Sequence, residues 1–220
     1  MLDIKGAIFD IDGTLLDSMP VWERIAGDFL RSREVVPRQN LNRELLGVGG
    51  HEIPRYFKVE YGLQETEEEI QKGIYSLLED FYHNKAALKP GVFAVLDALR
   101  NHGVRMCAAT ATDRWLMEPA LKRCGIAMYF DRIFTCREEK TSKSSPDIYV
   151  RAASYMKTDI ENTVVFEDAP YAVKSAKNAG FFVIAVYDGS TDGKVSEIKM
   201  LCDYYCQSLD DFMLNEIITN

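Results

Sequence analysis

The stretch Lys5-Gly6-Ala7-Ile8-Phe9-Asp10-Ile11-Asp12-Gly13-Thr14-Leu15-Leu16-Asp17-Ser18 decides how this chain is read. Its apolar start, Ala7-Ile8-Phe9, has the look of a strand buried on both faces, and it runs directly into Asp10 and Asp12. Side chains two residues apart leave a strand on the same side. Two carboxylates carried together out of a core are costly, so they need a partner of opposite charge. Working outward, apolar runs at 103–109, 131–135, 163–166 and 181–186 also read as buried strands. Amphipathic helical patterns separate them at 92–101, 115–123, 146–156 and 171–179, several ending at a glycine. Such alternation predicts an α/β fold, a Rossmann-like parallel sheet with helices on both faces.

Between the first strand and this series the pattern changes. Residues 17–86 contain helix-like periodicity at 21–33, 38–46, 52–61 and 67–82 and no convincing strand. An inserted small all-helical cap domain at 17–86 is expected, with 1–16 and 87–220 forming the α/β core. Lys89-Pro90-Gly91 punctuates the return to the core. The acidic run at 65–69 reads as the first turn of a helix, where carboxylates suit the dipole.

Composition narrows the function. The chain has 220 residues and a formal charge of −8, a poor balance for gripping a phosphate backbone, so no nucleic-acid partner is expected. With no apolar stretch of about 20 residues and no leader-like start, the reading is a cytoplasmic protein with no membrane partner. Five scattered cysteines without metal spacing read as free thiols, and the three histidines, His51, His83 and His102, fall in no motif.

In open parallel sheets, ligands bind beyond the carboxyl ends of the strands. Those ends here carry Asp10 and Asp12, then Thr110-Ala111-Thr112, then Lys143, then Glu167 and Asp168. Clustered carboxylates without sulfur or imidazole select a hard divalent cation, magnesium above all. A threonine hydroxyl, backbone N–H groups and a lysine ammonium are what a phosphate dianion needs around it. The chemistry indicated is metal-assisted phosphoryl transfer.

These residues resemble the four motifs of the haloacid dehalogenase superfamily, in order along the chain: Asp10-Ile-Asp12-Gly13-Thr14, Ala109-Thr110-Ala111-Thr112, Lys143 ahead of Pro146-Asp147, and Phe166-Glu167-Asp168-Ala169. The helical insertion is similar to the cap of the branch containing β-phosphoglucomutase and many sugar-phosphate phosphatases. The resemblance implies Asp10 as nucleophile, giving an aspartyl-phosphate, and Asp12 as acid and then base. It implies magnesium held by Asp10, the Asp12 carbonyl and Asp168 with Glu167 nearby. Thr110, Ala111 and Lys143 are implied as the phosphate-binding and charge-neutralising groups. Lys140, one turn before Lys143, is the competing lysine, and Ser144 stands where the family usually has proline.

The cap is expected to choose the substrate, a small phosphorylated metabolite of the sugar-phosphate kind. Where the phosphoglucomutase branch carries a histidine soon after the first motif, this chain has Trp22. Where that branch has an arginine, the loop Leu46-Gly47-Val48-Gly49-Gly50-His51 has glycine. Both departures favour a phosphatase over a hexose phosphomutase, the alternative. Trp22 reads as cap core rather than as a stacking platform. A non-catalytic phosphate-sensing protein would be expected to lose one of the first two aspartates, and a true dehalogenase would need neither Asp12 nor magnesium.

Overall fold

The computed structural model describes residues 3–45, 48 and 52–212. Six strands form one parallel sheet: β1 Gly6–Phe9, β2 Arg105–Thr110, β3 Arg132–Thr135, β4 Thr163–Glu167, β5 Phe182–Val186 and β6 Tyr204–Cys206. Their order is β3-β2-β1-β4-β5-β6, so chain progression reverses direction beside β1, the place where doubly wound sheets open a ligand crevice. The ladder continues one residue past β1, where the Asp10 N–H donates to the Phe166 carbonyl at 2.9 Å. Asp10 is therefore fixed by backbone pairing before any side chain acts.

The described residues form ten α-helices: α1 Met19–Ser32, α2 Leu41–Glu44, α3 Ile53–Tyr61, α4 Glu67–Asn84, α5 Val92–Asn101, α6 Arg114–Arg123, α7 Cys136–Glu139, α8 Asp147–Met156, α9 Pro170–Asn178 and α10 Val195–Leu201. Alternation along β1 sends Ile8 to one face and Phe9 to the other. On the first face Ile8, Cys107, Ala109, Val165, Val183 and Ala185 pack under α8 and α9, through Ile148, Tyr149, Ala152 and Val173. On the second, the Phe9 ring stacks on Phe166 with centroids 4.2 Å apart, and Phe130 and Phe212 meet them edge-on. Central strands buried on both faces are what near-continuous apolar runs encode.

Two compact units emerge, Met1–Met19 with Ala86–Asn220, and Pro20–Lys85. In the first, the chain segments before and after the insertion are stitched together: Leu16 bridges Leu88, and the Asp17 N–H donates to the Ala87 carbonyl at 3.0 Å. Gly91 follows with φ +82°, and a Cβ there would lie 2.1 Å from the Asp210 nitrogen, so the turn at the re-entry admits glycine alone.

The second unit is helical, made of α2 to α4 and nearly all of α1. Phe29, Leu30, Phe57, Ile70, Ile74 and Tyr82 form its buried centre, with Phe29 and Phe57 stacked at 5.8 Å. The acidic run opens α4 through a capping box: Thr66 accepts from the Glu69 N–H at 3.2 Å while Glu69 accepts from the Thr66 N–H at 2.8 Å. Trp22 is half-buried, its indole N–H donating to the Tyr82 hydroxyl at 2.8 Å, and it walls an apolar cavity of about 540 Å³ inside this unit.

The helix expected over 38–46, whose last residue lies outside the described residues, shrinks to the single turn of α2, preceded by Pro37 and Asn40, which favour turns over helix. α10 and β6 are not foreseen in the sequence. β6 has three residues, too few for a period to register. No described helix is long and apolar enough to cross a membrane.

Candidate active site

Four charged side chains meet at the carboxyl ends of β1 and β4. Asp10, Lys143, Glu167 and Asp168 are each at most 5% exposed. The Lys143 ammonium donates to Asp10 and to Glu167 in two very short contacts. Lys140, by contrast, is exposed and terminates α7 in the left-handed region. Ser144, replacing the family's usual proline, does not prevent Lys143 from reaching the site; the segment 143–146 still turns directly into α8.

Glu167 is saturated. One oxygen accepts from Lys143 and from the Tyr149 hydroxyl at 2.9 Å, and the other accepts from the N–H groups of Asp168 and Ala169 at 2.9 and 3.0 Å. Its carboxylate thus holds Lys143 in place and shapes the turn carrying Asp168 into α9. Asp168 accepts from the Thr14 hydroxyl at 3.1 Å. Gly13 lies against it with φ +86°, and a Cβ on Gly13 would come within 2.5 Å of Asp168 Oδ2, so the first motif needs glycine at this point.

Asp12 is set differently. Its two oxygens accept from Ser18 Oγ at 2.6 Å and from Thr112 Oγ1 at 2.7 Å, which pins a half-buried carboxylate at the edge of the cluster. Thr110, buried at the end of β2, accepts from the Thr112 N–H at 3.0 Å and keeps its own hydroxyl proton to give. Ala111 is exposed in the turn between them.

The electrostatics are those of too many carboxylates for one lysine. Burial raises the Asp10 carboxyl well above its usual range against the pull of Lys143, and the charges of Glu167, Asp168 and Asp12 add to the rise. Asp168 is pushed up to about 7 by burial and then by Glu167. Burial lowers the proton affinity of Lys143, but Asp10 and Glu167 outweigh it and the ammonium is held more tightly than usual. Oxygens of Asp10, Glu167 and Asp168 lie within 4.8 Å of one another, and with Glu167 committed to its four donors, Asp10 and Asp168 are the carboxylates left to face one cation. All donors in this set are hard oxygens, and the trio carries more negative charge than Lys143 balances, which is the setting a magnesium ion fits. The Asp12 side chain stands outside the trio.

Residues 7–186 match the model of the family described as haloacid dehalogenase-like hydrolase. The chain belongs to the haloacid dehalogenase-like hydrolases. Within that family it is 25% identical over 192 residues to the phosphorylated carbohydrates phosphatase of Thermotoga maritima, covering 87% of this chain and 89% of that protein. It is 27% identical to hexitol phosphatase A of Escherichia coli, over 90% of this chain and 89% of the relative. A crystal structure from Thermotoga maritima, provisionally named a β-phosphoglucomutase, superposes with a TM-score of 0.85 at 23% identity, covering 98% of this chain and 100% of the other. At that identity the likeness speaks for the fold.

Tyr149 enters this haloacid dehalogenase-like site without having been foreseen, while Thr14 and Thr112, both within the quoted motifs, had been given no role of their own. Tyr149 leaves a signal: a tyrosine on the apolar face of a helix six residues after the motif lysine needs a buried acceptor for its hydroxyl. Motif membership marks Thr14 and Thr112, but not which carboxylate each meets, which depends on chain folding over 154 and 100 residues. The loop read as lacking the mutase arginine, residues 46–51, lies outside the described residues apart from Val48.

Crowded buried carboxylates predict a stabilising cation. Magnesium at about a hundred times its dissociation constant is expected to raise the Tm by roughly 5–10 °C at pH 8. In Asp168→Asn that rise should nearly vanish, while the metal-free variant melts higher than metal-free wild type because one buried charge is gone. Differential scanning calorimetry with EDTA or magnesium chloride decides it. An Asp168→Asn protein with an undiminished magnesium shift would contradict the assignment.

Proposed function

We propose that this chain is a magnesium-dependent phosphatase hydrolysing a small phosphorylated metabolite, of the sugar-phosphate class, through an aspartyl-phosphate. Unit 1 is read as the catalytic core and the helical unit as the cap that selects substrate. The observation carrying the reading is the Asp10 carboxylate, held by backbone pairing and by Lys143, one residue from a second carboxylate pinned in a separate hydrogen-bonding environment. The relatives named above, a phosphorylated carbohydrates phosphatase and a hexitol phosphatase, support the substrate class.

An Asp10 oxygen attacks phosphorus as the bond to the alcohol oxygen breaks, and protonated Asp12 gives its proton to the departing alkoxide. Water then attacks the phosphorus of the aspartyl-phosphate, losing a proton to Asp12; the acyl-phosphate bond breaks, releasing inorganic phosphate and restoring Asp10. Ser18 and Thr112 keep Asp12 in one orientation through both steps. Lys143 and Thr110 donate to the phosphoryl oxygens, with N–H groups at Ala111 and beyond. Asp10, the Asp12 carbonyl and Asp168 would hold magnesium, which when bound neutralises charge on those oxygens.

Hydrolysis is favoured over phosphoryl shuttling between hydroxyls because the mutase's cap histidine is replaced by Trp22, whose indole is spent on Tyr82 within the helical unit. Phosphate release from a panel of phosphorylated metabolites, with and without magnesium, tests the proposal. Release from sugar or polyol phosphates, dependent on magnesium, is expected. Conversion of glucose 1-phosphate to glucose 6-phosphate with a bisphosphate activator, without free phosphate, would replace it with the mutase reading.

A further inference from the structure

Lys89 sits in the re-entry segment, outside every motif, yet its side chain is only 14% exposed and fully engaged. The ammonium has three protons to donate and meets three acceptors: the Gly13 carbonyl at 2.7 Å, the Tyr187 carbonyl at 2.6 Å and Asp188 Oδ2 at 2.9 Å. Asp188 is itself 5% exposed and is held by the Ser190 N–H and hydroxyl. Burying a lysine this way is expensive and unnecessary at a simple loop junction. What it secures is specific. The Lys89 N–H also donates to the Leu15 carbonyl at 2.9 Å, and the Gly13 N–H to Leu16 at 2.9 Å, so the loop from Gly13 to Leu16 is clamped from both ends.

Gly13 is where that clamp reaches the chemistry. Its α-carbon lies against the Asp168 carboxylate, and the next residue, Thr14, donates to Asp168 Oδ1. The peptide that ends at the Gly13 nitrogen begins at the Asp12 carbonyl, the main-chain group assigned above to magnesium. One ammonium therefore fixes the backbone that positions two of the three magnesium-binding groups.

We propose that Lys89 is a positioning residue for magnesium, acting through the Gly13 carbonyl, with Asp188 as the buried counterion that holds the lysine there. This rests on the function proposed above. Groups bonded directly to metal ligands typically change metal affinity 10- to 100-fold when removed, and Lys89, which bonds the Gly13 carbonyl one peptide beyond the Asp12 carbonyl, belongs at the low end of that range.

The test is magnesium binding to the full chain by isothermal titration calorimetry, beside the magnesium dependence of phosphate release. Lys89→Met is expected to weaken magnesium binding at least about tenfold and to raise the half-saturating magnesium concentration by the same factor. Its kcat at saturating magnesium should stay within about threefold of wild type, since no reacting group is touched. Asp188→Asn, which removes the counterion but keeps the lysine and its two carbonyl contacts, should weaken magnesium binding in the same direction and by less than Lys89→Met. Should Lys89→Met fail to fold because Asp188 is left without its partner, the double variant Lys89→Met with Asp188→Asn removes that stranded charge and carries the same expectation. A lysine serving only stability would lower the Tm of these variants and leave the magnesium dissociation constant unchanged. That result overturns the inference alone, whereas a wild-type chain that binds no magnesium overturns it together with the proposed function.

Discussion

Asp10→Asn is expected to abolish phosphate release, with turnover of a generic aryl phosphate falling by roughly four orders of magnitude or more. The amide has the shape of the carboxylate but not its nucleophilicity, and Asp10 is the group held by both the β4 backbone and Lys143. The fold should survive. Removing one of three crowded buried carboxylates relieves repulsion, so metal-free Asp10→Asn is expected to melt no lower than metal-free wild type. The combination of lost turnover and kept stability separates an enzyme from a phosphate-sensing protein on the same scaffold. Wild-type turnover in the variant would remove Asp10 as nucleophile.

Lys143→Met is expected to fail in both respects. Its ammonium faces Asp10 and Glu167 at the centre of the site, so the variant strands two buried carboxylates. Breaking a buried pair from one side costs about 3–5 kcal/mol, a loss visible as a lower urea midpoint. Loss of a preorganised donor to the phosphoryl oxygens should lower kcat by about a hundred- to a thousandfold. Lys140→Met is the control, since Lys140 is exposed and should be silent in both measurements. A silent Lys143→Met beside an impaired Lys140→Met would shift the assignment to Lys140. Magnesium should restore part of the lost stability, because it answers the same excess of negative charge.

The contrast between these two variants shows where sequence reading works. Asp10 follows an apolar run that only a buried strand explains, so its place at a strand end is written in its nearest neighbours. Lys143 has no such neighbourhood: it follows Ser142 and precedes Ser144 and Ser145, a surface-like setting, and only its distance from Pro146-Asp147 marked it. Tyr149 and Lys89 are harder still. Each does its work on groups brought close from elsewhere in the chain, Tyr149 on Glu167 and Lys89 on Gly13 and Asp188.

The parallel α/β fold, the family and the order in which acidic and basic residues arrive at the strand ends are legible in the residues alone, because strand burial and helix amphipathicity are local, periodic properties. How those residues divide the work emerges only when distant segments meet. Glu167 spends both oxygens on Lys143, Tyr149 and its own turn, Asp12 is drawn aside by Ser18 and Thr112, and Gly13 is clamped against Asp168 by a lysine 76 residues away. The physical reason is that a hydrogen bond requires a donor within about 3 Å of its acceptor, and such proximity between distant residues exists only once the sheet has closed its order around β1.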